Sequence, residues 1–111
     1  MITVSMEYRG GHIAAFTITG HAGQAAPGRD IYCAGVSAIA QTAVLGLAKH
    51  LATVPQLQII EGENALMECI LPDDLSSDDQ YKAQLILSTM EAGLLSLEEA
   101  YPGYVKVRIR R

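Results

Sequence analysis

A histidine and a cysteine lie in the stretch Gly20–Ser37, and together these residue types can perform nucleophilic chemistry. The stretch reads GHAGQAAPGRDIYCAGVS, in which a glycine-containing segment separates His21 from Cys33. A thiolate attacks a carbonyl carbon readily, and a histidine can take the thiol proton and later protonate a leaving amine. The pair therefore predicts acyl-transfer chemistry if the fold brings the two side chains together.

The sequence predicts that Cys33 lies at the start of a long helix. Asp30 has the residue type of an N-cap, and a long apolar segment follows it from Ile31 to Leu51. The first turn of a helix has backbone N–H groups without intrahelical acceptors, and these groups and the helix dipole favour a thiolate or an oxyanion. Ser37 comes one turn later on the same helix face, where it would orient a group or line a pocket.

Each of these residues also has an ordinary structural interpretation. A cysteine in an alanine-rich helix is often a small buried hydrophobe, and a histidine beside a loop is often a polar surface residue. Catalytic pairs are recognised by their geometry, so the spacing of His21 and Cys33 leaves both interpretations open. Cys69 lies in an alternating apolar segment, and we predict that it fills the core.

The sequence contains no pattern that indicates a metal, a cofactor or a disulfide framework. Its two cysteines form no CxxC pair, and its histidines are scattered at His12, His21 and His50. We expect His12, in a turn, and His50, at a helix end, to be structural or surface residues. We therefore predict no metal and no cofactor, and we interpret both cysteines as thiols.

Hydrophobic periodicity predicts two long helices and five short strands. Apolar and polar residues alternate in the first and last strands, and the Gly-Gly pair at positions 10 and 11 favours a hairpin. The predicted strands are 2–8, 13–19, 57–61, 65–71 and a last one from Val105, and the predicted helices are 31–51 and 77–100. The order ββαββαβ favours an α+β two-layer sandwich, with two long helices on a five-stranded, largely antiparallel sheet.

The sequence also predicts where the second helix begins and which face it buries. Ser77 and Gln80 have the spacing of a capping box. Apolar residues recur at helical spacing and are expected to face the core; they are Tyr81, Leu85, Met90, Leu94 and Leu97.

Composition restricts the classes of function. The chain has 111 residues, of which 50% are apolar and 18% charged, and this predicts a single globular domain, 1–111. A net charge of −4 weakly disfavours general nucleic-acid binding, although basic residues gather at the C-terminus. We interpret no segment as a membrane span or a signal peptide. We therefore expect a cytoplasmic protein that binds neither a membrane nor nucleic acid directly.

Two motifs in the chain resemble those of a known family. Gly20-His21-Ala22-Gly23 is followed by Gly28-Arg29-Asp30-Ile31-Tyr32-Cys33-Ala34-Gly35-Val36-Ser37. Together they resemble the GHA…GxDIxCAxVS signature of the ribosomal-processing cysteine protease Prp family, also called the YsxB-like family. The paired motif is fairly specific, and the length and the predicted element order agree with the family over the whole chain.

The resemblance implies a homodimeric cysteine endopeptidase that removes a short N-terminal extension from large-subunit ribosomal protein number twenty-seven. It assigns Cys33 as the nucleophile and His21 as the general base, with a loop, Ala22–Arg29, that gates the cleft. The other motif positions would support the site, line it or belong to the loop; they are Gly20, Gly23, Gly28, Asp30, Ala34 and Ser37. Family substrates have aromatic residues just before the cut, so an apolar cleft is implied.

Three features depart from the family pattern. Gln24 stands where an aromatic residue is common, Tyr32 stands where a small aliphatic residue is common, and Ala25-Ala26-Pro27 is unusually plain. These positions leave the dyad intact and bear on substrate preference and on the loop, which Pro27 would stiffen. Two alternatives stay open: a non-catalytic dimeric module that binds a ribosome-assembly partner, and a thiol redox sensor.

Overall fold

The computed structural model describes residues 1–20 and 31–111, and in these ranges it contains five strands and two helices. In chain order the elements are β1 (Ile2–Arg9), β2 (His12–Thr19), α1 (Ile31–His50), β3 (Gln56–Ile60), β4 (Leu66–Ile70), α2 (Ser77–Ala100) and β5 (Val105–Arg110). The predicted ββαββαβ order and the α+β class are confirmed.

The strands form one mixed sheet in the order β3-β4-β2-β1-β5. The pairs β1–β2, β2–β4 and β3–β4 are antiparallel, as expected for two hairpins. The pair β1–β5 is parallel because α2 carries the chain back along the sheet before β5 begins. The sheet is therefore largely antiparallel, with β3 and β5 at its edges.

A β-bulge sets which residues of β2 face the core. Phe16 lies opposite Met6, and the register then shifts so that Ala14 is an extra residue in β2. In a regular strand without the bulge, the alternation would send Ile13 to the outer face, whereas Ile13 and Phe16 are both buried. The side chain of Gln84 in α2 satisfies the backbone there, since Oε1 accepts from the Ile13 N–H at 2.7 Å and Nε2 donates to the Ile13 carbonyl at 2.9 Å.

The hydrophobic core lies between the sheet and the two helices. The sheet contributes Ile2, Val4, Met6, Phe16, Cys69 and Val105, and the helices contribute Val36, Ala40, Leu47, Ala83, Leu87 and Leu94. On the other face of the sheet, polar residues lie opposite one another, with Ser5 beside Arg108 and Glu7 beside Arg110. The polar outer face and the apolar inner face agree with the predicted two-layer packing.

The cap and the buried face of α2 differ from the prediction. Ser76 rather than Ser77 is the N-cap, because the Ser76 hydroxyl accepts from the Asp79 backbone N–H at 3.1 Å. The prediction that Tyr81 and Leu85 face the core is wrong, since they are 67% and 51% exposed. The buried face runs through Ala83, Leu87, Met90 and Leu94. Helical periodicity predicted the wrong buried face because α2 has apolar residues on two faces. The small residue Ala83 lies on the face that is buried.

By length and composition alone, α1 is apolar enough to cross a membrane, which corrects our expectation that no segment would qualify. Its most apolar window has a mean hydropathy of 1.6, and 22% of that window is buried in the fold. The core helix of a folded domain passes the same test, and Val36, Ala40 and Leu47 of α1 are core residues. One such helix in the described part of the chain is weak evidence for a membrane span.

Candidate active site

Cys33 lies in the first turn of α1, at the edge of a cleft. The helix begins at Ile31, so the N–H groups of this turn have no acceptor within the helix. The Cys33 side chain is half-buried and is among the residues that line the cleft. A thiolate or an oxyanion at this position is stabilised by the first-turn N–H groups and by the helix dipole.

The cleft lies between the first half of α1 and the ends of several strands. It has a volume of about 530 Å³. Its walls are mostly apolar and include Ile2, Ile18, Ile59, Ile60, Leu66 and Met67. This volume lies within the usual range for ligand-binding clefts, and the walls suit apolar groups.

Four predicted site residues lie together at this cleft. Gly20, Cys33, Ala34 and Ser37 all line it. Ser37 follows Cys33 by one helical turn, as the spacing predicts. Its hydroxyl oxygen accepts a hydrogen bond from Nε2 of Gln41, at 2.7 Å. Gln41 also lines the cleft, and no motif in the sequence singled it out.

Gly20 has a backbone conformation that other residues rarely adopt. Its φ is +86°, and a Cβ at this position would collide with the carbonyl oxygen of Met1. Glycine is therefore required for the chain to leave β2 beside the N-terminus. This gives Gly20 a structural role immediately before His21.

An aromatic cluster holds the start of α1. The Tyr32 ring stacks on the Tyr104 ring, with centroids 4.3 Å apart and an interplanar angle of 13°. It also meets the Tyr101 ring edge-on, at 5.2 Å and 63°. These contacts join the residue before Cys33 to the segment between α2 and β5. The sequence marked Tyr32 only as a departure from the family, since nothing in the spacing of the three tyrosines indicates that they meet.

The second cysteine lies away from the cleft. Cys69 is 1% exposed in β4, as the alternation predicts. Burial raises the pKa of the Cys69 thiol from 9.0 to about 11, so this thiol is protonated at neutral pH. His12 and His50 are exposed. In residues 1–20 and 31–111, the His, Cys, Asp and Glu side chains form no group of three that would hold a metal ion.

Comparison with known proteins identifies the family. The model of the family described as cysteine protease Prp matches residues 1–106. The chain belongs to this family. It is also 33% identical, over 95 residues, to the ribosomal processing cysteine protease Prp of Bacillus subtilis (strain 168), and the match covers 86% of this chain and 84% of that protein.

Solved structures agree with the Prp fold over nearly the whole chain. The crystal structure of SMU.848 from Streptococcus mutans matches with a TM-score of 0.85 and 29% identity, covering 99% of this chain and 94% of that one. The essential ribosomal processing protease Prp from S. aureus, in complex with a covalently linked product peptide, matches with a TM-score of 0.81 and 28% identity, covering 99% of this chain and 100% of that one. The protein is therefore a cysteine protease of the Prp family.

Several motif positions of the Prp family lie outside the described residues. These positions are His21, Gly23, Gly28 and Asp30. The pairing of His21 with Cys33, the capping of α1 by Asp30 and the gating of the cleft by the loop Ala22–Arg29 stay predictions.

Proposed function

We propose that this Prp-family protease removes a short N-terminal extension from large-subunit ribosomal protein number twenty-seven, with Cys33 as the nucleophile and His21 as the general base. The observation that carries the proposal is the position of Cys33, in the first turn of α1 beside an apolar cleft of about 530 Å³. The motif pair around His21 and Cys33 supports the dyad. The name of the B. subtilis relative, a ribosomal processing cysteine protease, supports the class of substrate.

The proposed reaction proceeds through a thioester. His21 accepts the Sγ proton of Cys33, and the thiolate attacks the scissile carbonyl carbon to form a C–S bond. The carbonyl π electrons move onto oxygen, where first-turn N–H groups of α1 stabilise the charge. The C–N bond then breaks, and the leaving amine takes the proton from the His21 imidazolium. Water, deprotonated by His21, attacks the thioester and releases the new carboxyl terminus, and Sγ leaves and regains its proton.

The walls of the cleft support an extended peptide as the substrate. Ile59 and Ile60 belong to the edge strand β3 and are 52% and 44% exposed. Together with Leu66 they offer apolar surface to side chains of a bound peptide. The S. aureus relative holds a covalently linked product peptide, which supports both a peptide substrate and a covalent step. Aromatic residues just before the cut would lie against these walls.

The remaining motif residues have supporting roles in this proposal. We expect Asp30 to cap α1 and so to fix the first turn, which Cys33 needs. Ala34 is exposed beside Cys33 and has a small side chain, which leaves the nucleophile accessible. We expect Gly23 and Gly28 to serve the gating that the family resemblance implies for the loop Ala22–Arg29.

We also infer that the protein is a cytoplasmic homodimer. The family resemblance implies the dimer, and the unpaired backbone edge of β3 supports it, because such edges are usually covered. Light scattering after size-exclusion chromatography should give twice the monomer mass of 11.9 kDa. Cell fractionation with an antibody tests the location.

Intact-mass measurement of the ribosomal protein tests activity, substrate and nucleophile together. The reduced wild-type protein should shorten the ribosomal protein by the mass of its extension, and Cys33→Ala and His21→Ala should leave it uncut. Cys69→Ala is the matched control, since it removes the other thiol and should cleave normally. An uncut ribosomal protein after incubation with reduced wild type would contradict the proposal. A Cys33→Ala protein that retains the cellular role would identify a binding module instead.

A further inference from the structure

A pair of polar side chains stands in the wall of the apolar cleft. Nε2 of Gln41 donates to Oγ of Ser37 at 2.7 Å, and both side chains line the cleft that also contains Cys33. Ser37 is half-buried, whereas Gln41 is exposed at the surface of α1. The pair therefore lies next to the space that a peptide would occupy.

The direction of this hydrogen bond decides what the Ser37 hydroxyl can do. A hydroxyl has one proton to donate and two lone pairs, and the Gln41 amide nitrogen can only donate. Gln41 therefore occupies a lone pair of Ser37 and leaves its proton available. Thr42, the next residue of the helix, instead donates its hydroxyl proton to the Ala38 carbonyl at 2.7 Å. In residues 1–20 and 31–111 no such acceptor takes the proton of Ser37.

We propose that Gln41 is a positioning residue that directs the Ser37 hydroxyl proton toward a backbone carbonyl of the bound peptide. The inference takes its ligand from the proposed peptidase function. The apolar walls can bury side chains of the peptide, but a carbonyl that leaves water without a hydrogen bond costs free energy. The Ser37 hydroxyl, one turn from Cys33, supplies such a bond close to the scissile position. Gln41 keeps the hydroxyl from turning back to the helix.

Gln41→Glu tests the proposal because it keeps the shape of the side chain but reverses the direction of the hydrogen bond to Ser37. At neutral pH the carboxylate only accepts, so it captures the Ser37 proton and takes it away from the peptide. Gln41→Glu and Ser37→Ala should therefore have the same effect. The double variant should be no worse than either single variant, because both remove the same donor.

The experiment combines a binding series with a kinetic series. The probe is a synthetic peptide that spans the N-terminal extension of the organism's ribosomal protein number twenty-seven. In a Cys33→Ala background, Gln41→Glu and Ser37→Ala should each raise the Kd about three- to tenfold, as expected for one hydrogen bond. In the active protein they should raise KM by a similar factor and leave kcat nearly unchanged. Thr42→Ala, which removes a hydroxyl from the adjacent position of α1, should bind and cleave like wild type.

Alkylation of Cys33 separates positioning from an effect of the added charge. Gln41→Glu should leave the rate of iodoacetamide reaction at Cys33 within about twofold of wild type, because the proposal involves the peptide and not the thiol. If alkylation slows as much as cleavage, the charge acts on the thiol and the proposal is wrong. Unchanged Kd in Ser37→Ala, additive losses in the double variant, or a peptide that does not bind would also overturn it. A peptide that binds with the expected Kd series but is never cut would overturn only the peptidase function.

Discussion

The two cysteines of this protease have the same side chain in opposite environments. Cys33 is half-buried in the first turn of α1 and lines the cleft. Cys69 is 1% exposed in β4, where Phe16 of β2 and Leu57 of β3 lie opposite it on the neighbouring strands. Burial raises the pKa of the Cys69 thiol to about 11. The fold therefore places one thiol at the cleft and buries the other in the core.

The difference follows from the secondary structure that carries each thiol. Side chains of β4 alternate between the core and the polar face, so Cys69 enters the core by position. The N–H groups of paired strands are used in the sheet and offer nothing to an anion. The first turn of α1, by contrast, has N–H groups that no helical carbonyl accepts. We therefore expect the reactivity of each thiol in this chain to depend on its position rather than on its residue type.

The largest expected effect is on catalysis. Cys33→Ala should lower kcat/KM for a cleavable peptide by at least about 10³-fold, since it removes the proposed nucleophile. Cys69→Ala should cleave like wild type and lose about 1 kcal/mol of unfolding free energy, because it leaves a small cavity in the core. Peptide cleavage followed by mass spectrometry and urea unfolding measure the two quantities. Equal losses of activity in both variants would remove the distinction between the thiols.

Alkylation rates should differ by about 100-fold or more between the two thiols. With a pKa of about 11, roughly one Cys69 thiol in a thousand is ionised at pH 8, and its burial also restricts access. Iodoacetamide should therefore modify the native protein once, at Cys33, and twice after denaturation in urea. Peptide mapping identifies the modified residue. Early modification of Cys69 in the native protein would show that β4 opens readily and would contradict the claim that burial protects this thiol.

Most of the fold was predictable because its signals are local. Alternation in the first and last strands and turn residues in the hairpins predicted the strands within a residue of their observed ends. The long apolar segment predicted α1, and helical periodicity predicted α2. The bulge at Ala14 and the hydrogen bonds between Gln84 and the Ile13 backbone were not predictable. These bonds join residues that are 71 positions apart in the chain. Tyr81 was misplaced because an apolar residue at helical spacing does not reveal which of two apolar faces is covered.

The candidate site was predictable only in part. The residue types of α1 indicated Cys33 and Ser37 as neighbours on one face, and both line the cleft. The opposite wall comes from Ile59 and Ile60, which the topology places there through the pairing of β3 with β4 and of β4 with β2. No pattern near the motif indicates this wall. Gln41 was missed because an exposed glutamine on a helix carries no signal until its partner is known.

The unfolding free energy at high pH should also distinguish Cys69 from an exposed thiol. The pKa of Cys69 is about 11 in the folded protein against 9.0 for an unburied thiol. The stabilisation from burying the neutral thiol is therefore complete below pH 9 and is lost as the pH rises through about 11. The unfolding free energy lost over this pH range is roughly 2–3 kcal/mol.

The Cys69→Ala variant isolates this contribution from other titrating groups. The pKa of Tyr8 is also raised, by burial and by its hydrogen bond to Glu91, but that residue is present in both proteins. Urea unfolding at several values between about pH 8 and pH 11 should show wild type losing stability more steeply than the variant. Parallel curves would mean that Cys69 titrates normally and that β4 does not protect it.

The smallest expected effect concerns the contacts that hold the first turn of α1, which carries Cys33. The stacked rings of Tyr32 and Tyr104 join the start of α1 to the segment before β5, at a centroid distance of 4.3 Å. A double-mutant cycle with Tyr32→Leu and Tyr104→Leu should give a coupling of about 0.5–1.5 kcal/mol in unfolding free energy. Tyr32→Leu should also slow the alkylation of Cys33 about twofold, because a looser first turn orients its N–H groups less well, and leave Cys69 protected. Additive losses would mean that the stacked rings are neighbours without a joint contribution, and that the first turn of α1 is held by other contacts.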